Sequence, residues 1–210
     1  MKFDVTRVIE ELSSKRYPLF VSERHLQVAF ILKAKELYPD YEYIPEYVYK
    51  EEKDHHIDLM VSNNNGDRIA FEFKYIVAGG KIKVPGDNEY ELRNHSAVDI
   101  RRYQCVKDIS RLEKYVESGT LKCKKGYFIL ITNMHLFWDG SKEDSVAADF
   151  DIKDNSTLNK GLHKPKESTS FSIQYKKFET NNDYKIKYKD YAKTDGKCGL
   201  FKYLCVEVKK

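Results

Sequence analysis

Asp58, Glu72 and Lys74 are the residues of this chain whose types and spacing suit chemistry. In Ile69-Ala70-Phe71-Glu72-Phe73-Lys74-Tyr75, a strand would put Glu72 and Lys74 on one face and Phe71, Phe73 and Tyr75 on the other. In His56-Ile57-Asp58-Leu59-Met60-Val61 the same alternation sets Asp58 opposite in facing to Ile57, Leu59 and Val61. Two carboxylates converging from adjacent strands suit a hard divalent cation, magnesium most naturally, with manganese as a substitute. Such an ion lowers the pKa of a water and polarises a phosphodiester, and Lys74 brings positive charge beside it. The plainer alternative is a cross-strand ion pair on a wet sheet face. That alternative leaves the apolar remainder of both strands unexplained.

The two segments are joined by Asn63-Asn64-Asn65-Gly66-Asp67, a strong hairpin turn signal. Asp58 and Glu72 share a face directly across the ladder only if paired residue numbers sum to 130. That register predicts a three-residue loop, Asn64-Asn65-Gly66, with Gly66 in the left-handed conformation. A two-residue Asn65-Gly66 loop would turn Asp58 away.

The elements that must position this hairpin are also legible. Val5, Val8, Ile9 and Leu12 make one stripe of a first helix over about Phe3 to Ser14. Ser22 is a good N-cap for a second helix, which runs to Leu37 before Tyr38-Pro39 stops it and buries Leu26, Phe30, Ala34 and Leu37. Tyr43 to Tyr49 reads as extended, and the hairpin strands as about His55 to Ser62 and Arg68 to Val77. A long polar loop over Ala78 to His95 leads to a third helix from about Ala97 to Val116, and Tyr127 to Thr132 reads as a buried strand. Asp139 to Ser168 reads as a mobile insertion. Phe171 to Phe178, Tyr184 to Lys189 and Leu200 to Val208 read as strands of a C-terminal antiparallel sheet.

Asp58 followed by Glu72-Phe73-Lys74, within this order of helix, strands, helix and strand, resembles the PD-(D/E)XK, or restriction-endonuclease-like, nuclease superfamily. The resemblance covers about residues 22–133, and it departs from the family pattern at Ile57, where a proline usually stands. It implies an α/β fold: a restriction-endonuclease-like core with a central mixed sheet flanked by helices, plus C-terminal antiparallel strands. The chain is then one nuclease-like domain over 1–210, with an insertion at about 139–168 and the added strands at about 171–208. The resemblance also implies Glu23, in the first turn of its helix, as a further acid at the metal, beside the plainer reading of an acid at a helix N-terminus. Gln27 lies one turn on. In the third helix Asp99, Arg102, Tyr103 and Gln104 open a polar stretch, from which Arg102 can contact a phosphate with its planar fork and Gln104 can stand beside the site. The structural alternative is a solvated helix face with Asp108, Arg111 and Glu113 in ion pairs.

Lys81 and Lys83 lie in the loop after the hairpin, where they can grip a substrate. Lys185, Lys187 and Lys189 alternate with Ile186 and Tyr188 and so project from one face, as a phosphate-neutralising row or as the wet side of an ordinary sheet. His55 and His56 lack a second cluster with metal spacing, so zinc is not expected. The net charge of +4, from 37 basic and 33 acidic residues, does not by itself indicate a nucleic-acid partner. Four scattered cysteines read as free thiols of a reducing, cytoplasmic protein, and no apolar run is long enough for a signal or a membrane span. The expectation is a magnesium-dependent endonuclease acting on DNA, with RNA also open, in restriction or anti-phage defence; a homodimer is compatible. The competing expectation is a non-catalytic module that keeps the nuclease fold and binds nucleic acid or a protein.

Overall fold

A computed structural model describes residues 2–14, 19–50, 55–83, 89–92, 94–167, 169–195 and 198–210. Helix α1 (Val5–Ser13) starts where the Asp4 side chain accepts a hydrogen bond from Arg7 N–H, and it buries the expected stripe Val5, Val8, Ile9 and Leu12. Helix α2 (Glu23–Leu37) starts at Ser22, whose hydroxyl accepts from His25 N–H, and packs Leu26, Phe30 and Ala34 inward. A meander follows: β1 (Glu42–Val48), β2 (His56–Ser62) and β3 (Arg68–Ile76). Helix α3 (Val98–Glu117) then crosses to β6 (Cys123–Thr132).

Between β3 and α3 the expected polar loop contains a small hairpin of β4 (Gly80–Lys83) and β5 (Glu89–Leu92). The alternation of Lys81, Ile82 and Lys83 is the strand signal there, diluted by the glycines before it. Strands β11 (Tyr188–Lys193) and β12 (Leu200–Lys209) complete the main sheet, whose order is β1-β2-β3-β6-β12-β11. Only β3 and β6 are parallel; the other neighbours are antiparallel. The molecule is thus an α/β protein with a mixed six-stranded sheet flanked by helices.

Each face of the sheet carries its own core. On one side α1 and α2 cover Leu59, Val61, Phe71, Phe73, Tyr75, Ile129 and Ile131. On the other, α3 covers Met60, Ala70, Phe128, Leu130 and Leu204. Gly126 allows α3 to sit close on β6, because a Cβ there would lie 3.0 Å from Leu112 Cβ. No helix among the described residues is long and apolar enough to cross a membrane.

The second half of the chain departs from the sequence expectations. The segment expected as an insertion at 139–168 carries regular structure over its described residues 139–167: the end of α4 (Leu136–Asp139), a 3₁₀ turn at Ala148–Phe150, β7 (Ser156–Leu158) and β8 (Gly161–His163). Ala147, Phe150 and Ile152 are fully buried against α3 and its neighbours. Phe150 and Ile152 stand between charged residues in a short polar stretch, too brief to announce a buried element. The expected strand at 171–178 is helix α5 (Ser170–Gln174) followed by β9 (Phe178–Thr180). A capping box between Thr169 and Ser172 starts the helix, and Phe171 meets Tyr175 one turn on at 4.7 Å between ring centroids. The expected strand 184–189 breaks at Lys187 into β10 (Tyr184–Ile186), which pairs with β7, and β11, which pairs with β12. With β8 and β9 forming a further pair, the C-terminal strands are dispersed over three sheets instead of building one.

Candidate active site

The hairpin has the register that the site requires. Leu59 pairs with Phe71, Met60 with Ala70, Val61 with Ile69 and Ser62 with Arg68, so every pair sums to 130. The loop is Asn64-Asn65-Gly66, closed by Asn63 N–H donating to Asp67 O at 3.1 Å, and Gly66 has φ +76°. The Asn63 carboxamide oxygen accepts from Asn65 N–H and Asp67 N–H at 2.9 and 3.0 Å, which fixes the turn.

The ladder ends at Leu59–Phe71, and Asp58 takes over. Its Oδ2 accepts from Phe73 N–H at 2.7 Å, satisfying a β3 donor that a longer β2 ladder would have served. Glu23 does the same one step further, its Oε2 accepting from Tyr75 N–H at 3.1 Å. Two carboxylates are thereby held against the edge of β3 by backbone. On its other side β2 pairs with β1 at Pro45–Leu59 and Tyr47–Ile57, flanking Glu46, whose φ of 50° is left-handed. Ile57 and Met60 pack in the same α3-side core, so the simple alternation expected along β2 breaks at Asp58. Asp58 still enters the cleft together with Glu72 and Lys74.

That cleft, of about 570 Å³, lies on the α3 face and brings Glu23, Asp58, Glu72 and Lys74 together with Asp108 and Arg111. Lys74 Nζ lies 2.8 Å from Asp108 Oδ2 and 3.8 Å from Glu23 Oε1. Arg111 Nη2 lies 2.8 Å from Glu72 Oε2 and 3.2 Å from Asp108 Oδ1. Four carboxylates therefore face two cations. Glu72 is 1% exposed; Arg111 lies against its Oε2, and its Oε1 is buried without a partner.

The electrostatics follow from that imbalance. Burial pushes Glu23 above the ordinary carboxylate range, with Lys74 opposing and Asp58 adding to the shift. Burial likewise raises Asp58, against Lys74 and the Phe73 N–H. Glu72 is raised furthest in kind, by burial first and by Asp108 next, with Arg111 in opposition. Burial would lower Lys74, but Asp108, Glu23 and Asp58 outweigh it and hold the ammonium charged. Arg111 is secured in the same way by Asp108 and Glu72. These carboxylates would gain from a further cation. Among the described residues, however, no group of three or more His, Cys, Asp or Glu is placed to hold a metal ion by itself.

Asp108 and Arg111 are site residues that the sequence reading left on a solvated helix face. Asp108 is 4% exposed, and Glu113 is buried as well, accepting from Asn181 N–H, Asn182 N–H and the Tyr184 hydroxyl. The available signal was a polar stripe of Gln104, Asp108 and Arg111 at helical spacing. Gln104 lines the cleft as expected, beside Arg101, Lys107 and Lys176.

Arg102 points elsewhere. It is 3% exposed, donates to Leu136 O, and lies near Asp151 and over the Phe137 ring, so it anchors α4 instead of meeting a phosphate. Gln27 is buried and does not line the cleft. Lys81 is exposed on β4, and the Lys83 side chain lies outside the described part of the structure. Lys185 donates to Thr157 Oγ1 on β7 at 2.8 Å, whereas Lys187 and Lys189 line a groove by α1, so the expected lysine row is split. No protein-family model matches the chain, and no curated protein or solved structure does either.

Proposed function

We propose that this chain is a divalent-metal-dependent nuclease that hydrolyses phosphodiester bonds of DNA, with a restriction-endonuclease-like core. One observation carries the reading: Asp58, Glu72 and Lys74 enter one cleft from a hairpin of the required register, in a buried cluster where four carboxylates meet Lys74 and Arg111. The order α2, β1-β2-β3, α3 and β6 parallel to β3 supports the fold assignment. A role in restriction or anti-phage defence follows from the same family reading.

The residues fit magnesium in chemistry. Glu72 offers the buried Oε1, which has no partner, beside the Oε2 held by Arg111, and Asp58 keeps Oδ1 beyond the oxygen bound to Phe73 N–H. Magnesium commonly takes one or two carboxylates and completes its shell with water and substrate phosphate, so a three-acid cage is not required. Asp58 and Glu72, with Glu23 nearby, would hold the ion, which would supply an activated water and charge for the phosphoryl oxygens. Lys74 holds its proton and presents positive charge where the phosphorane develops. Arg111 and Asp108 hold Glu72 and Lys74 in place. Arg101, Lys107 and Lys176 on the rim can meet flanking phosphates.

Supercoiled plasmid incubated with the chain and magnesium is expected to be nicked or cut, and chelator should stop the reaction. Asp58→Ala and Lys74→Ala should each slow cleavage by about 10²–10³-fold, the loss usual for one group that stabilises a transition state. Full activity in either variant would refute the assignment. A second reading is favoured by the Arg111 contact, an internal cation already placed at Glu72 and Asp108. On that reading the cluster is structural and the chain binds nucleic acid without cutting it. Magnesium-independent DNA binding with no cleavage would select it.

A further inference from the structure

A second recess lies on the opposite face of the sheet from the cleft, among α1, β6, β11 and β12, with a volume of about 530 Å³. Its lining is predominantly basic, whereas the buried cluster in the cleft gathers four carboxylates. Lys2, Lys125, Lys187, Lys189 and Lys209 line it, against Asp4 and Glu207. Both acids are already engaged. Asp4 caps α1 through Arg7 N–H. Glu207, although burial would raise it, is pulled down to about 2 by hydrogen bonds from Lys125, Lys209 and the Tyr127 hydroxyl. Lys2, Lys187 and Lys189 make no ion pair with any described carboxylate, and Lys189 lies 5.9 Å from the centroid of the Tyr203 ring.

A second observation concerns a tyrosine beside these lysines. Tyr203 lines the recess and is 4% exposed; its phenol oxygen is held by Lys189, and its O–H finds no acceptor. A buried O–H without an acceptor is unfavourable, so a ligand oxygen at this point would be stabilising. Lysines from the N-terminal segment, β6, β11 and β12 converge here, and Lys185, the third member of the sequence row, is tied to Thr157 elsewhere. Convergence on one recess suits a compact polyanion better than a strand of nucleic acid lying along the surface. The volume is in the range of small-ligand pockets.

We propose that this recess binds a compact polyphosphate, the diphosphate or triphosphate of a nucleotide-sized molecule, with Lys187, Lys189 and Lys2 neutralising it and Tyr203 donating a hydrogen bond to a phosphate oxygen. The inference does not rest on the cleavage reading, because none of these residues belongs to the acidic cleft.

Isothermal titration of the full chain with inorganic pyrophosphate tests it, in chelator so that no metal is shared. Saturable binding is expected. The Lys187→Ala/Lys189→Ala variant should weaken it at least about tenfold, and Tyr203→Phe by about tenfold, in keeping with one hydrogen bond to a charged group. Asp58→Ala should leave the affinity unchanged. Thermal melts without ligand show whether each variant is folded, and the two lysines are exposed enough that folding should not suffer. No binding at millimolar pyrophosphate would overturn the proposal. So would binding that the lysine variant leaves intact, or loss only of single-stranded oligonucleotide binding, which would mark a strand contact instead.

Discussion

The two faces of one sheet solve opposite charge problems. On the α3 face, Glu23, Asp58, Glu72 and Asp108 are drawn into a partly buried cluster with only Lys74 and Arg111 to answer them. On the α1 face, five lysines ring a recess whose two acids are already committed. Exposed lysines in surplus cost little, because water and salt screen them. Buried carboxylates in surplus are costly, and the raised pKa directions of Glu23, Asp58 and Glu72 express that cost. A fold that retains such a cluster is poised for an external cation. The basic recess needs no ligand to be stable, so its test is affinity, whereas the cleft can be tested through stability.

Removing the internal cation should have the largest effect. Arg111→Ala leaves Glu72 and Asp108 buried without their shared partner. Breaking a buried pair on one side costs about 3–5 kcal/mol, which in a chain of this size lowers Tm by roughly 10 °C. The measurement is thermal unfolding in chelator. A change under about 2 °C would mean that the cluster is hydrated and the contrast between the faces is weak. If manganese restores part of the lost Tm in Arg111→Ala, an external ion can stand in for the guanidinium.

The pH dependence has a definite sign. Glu23, Asp58 and Glu72 have folded pKa values above their ordinary values of 4.5, 3.8 and 4.5. Folding then favours their protonated forms. Below the ordinary values both states are protonated and these groups add nothing. As pH rises from there toward the raised folded values, the unfolded chain ionises first, so this site's contribution falls, and above the folded values the penalty is constant. In chelator, Asp58→Asn keeps an oxygen for Phe73 N–H and removes the charge, so it should be more stable than the parent by about 1 kcal/mol at pH 8. The gain should vanish near pH 4. Equal Tm differences at both pH values would show that Asp58 is not held in an unfavourable ionised state.

How much of this was legible in the sequence depended on how local the cause was. The hairpin register could be read because Gly66 allows the three-residue loop, and parity then fixes the pairs from Ser62–Arg68 to Leu59–Phe71 that lead up to Asp58. Helix α2 was legible through Ser22 and its stripe. Asp108 and Arg111 were not, because a charged residue on a helix reads as solvent-facing unless the acids waiting on the sheet are known. Phe150 and Ile152 were missed for a related reason: each is buried by contact with distant α3, and its neighbours in sequence are polar. The break in alternation at Asp58 falls where the carboxylate replaces a ladder hydrogen bond, and no period can forecast it. Sequence patterns report a residue's own element well and its partners across the fold poorly, and the charge balance of the cleft is a property of partners.

The smallest effect offers a fine discrimination between the faces. The sequence groups Lys185 with Lys187 and Lys189 in one alternating row, but the backbone leaves that row at Lys187. Lys185 is exposed and donates to Thr157 Oγ1, a surface contact between β10 and β7. Lys185→Ala should therefore change stability by no more than about 0.5 kcal/mol, as is usual for surface positions. It should also leave pyrophosphate affinity within about twofold, because Lys185 does not line the recess and its exposed charge is screened by water and salt. The comparison with Lys187→Ala in the same titration is decisive, because the two substitutions remove the same charge two residues apart. Equal losses would mean that the recess responds to total surface charge and has no defined lining. A loss confined to Lys187→Ala would show that the turn between β10 and β11 decides which lysine counts.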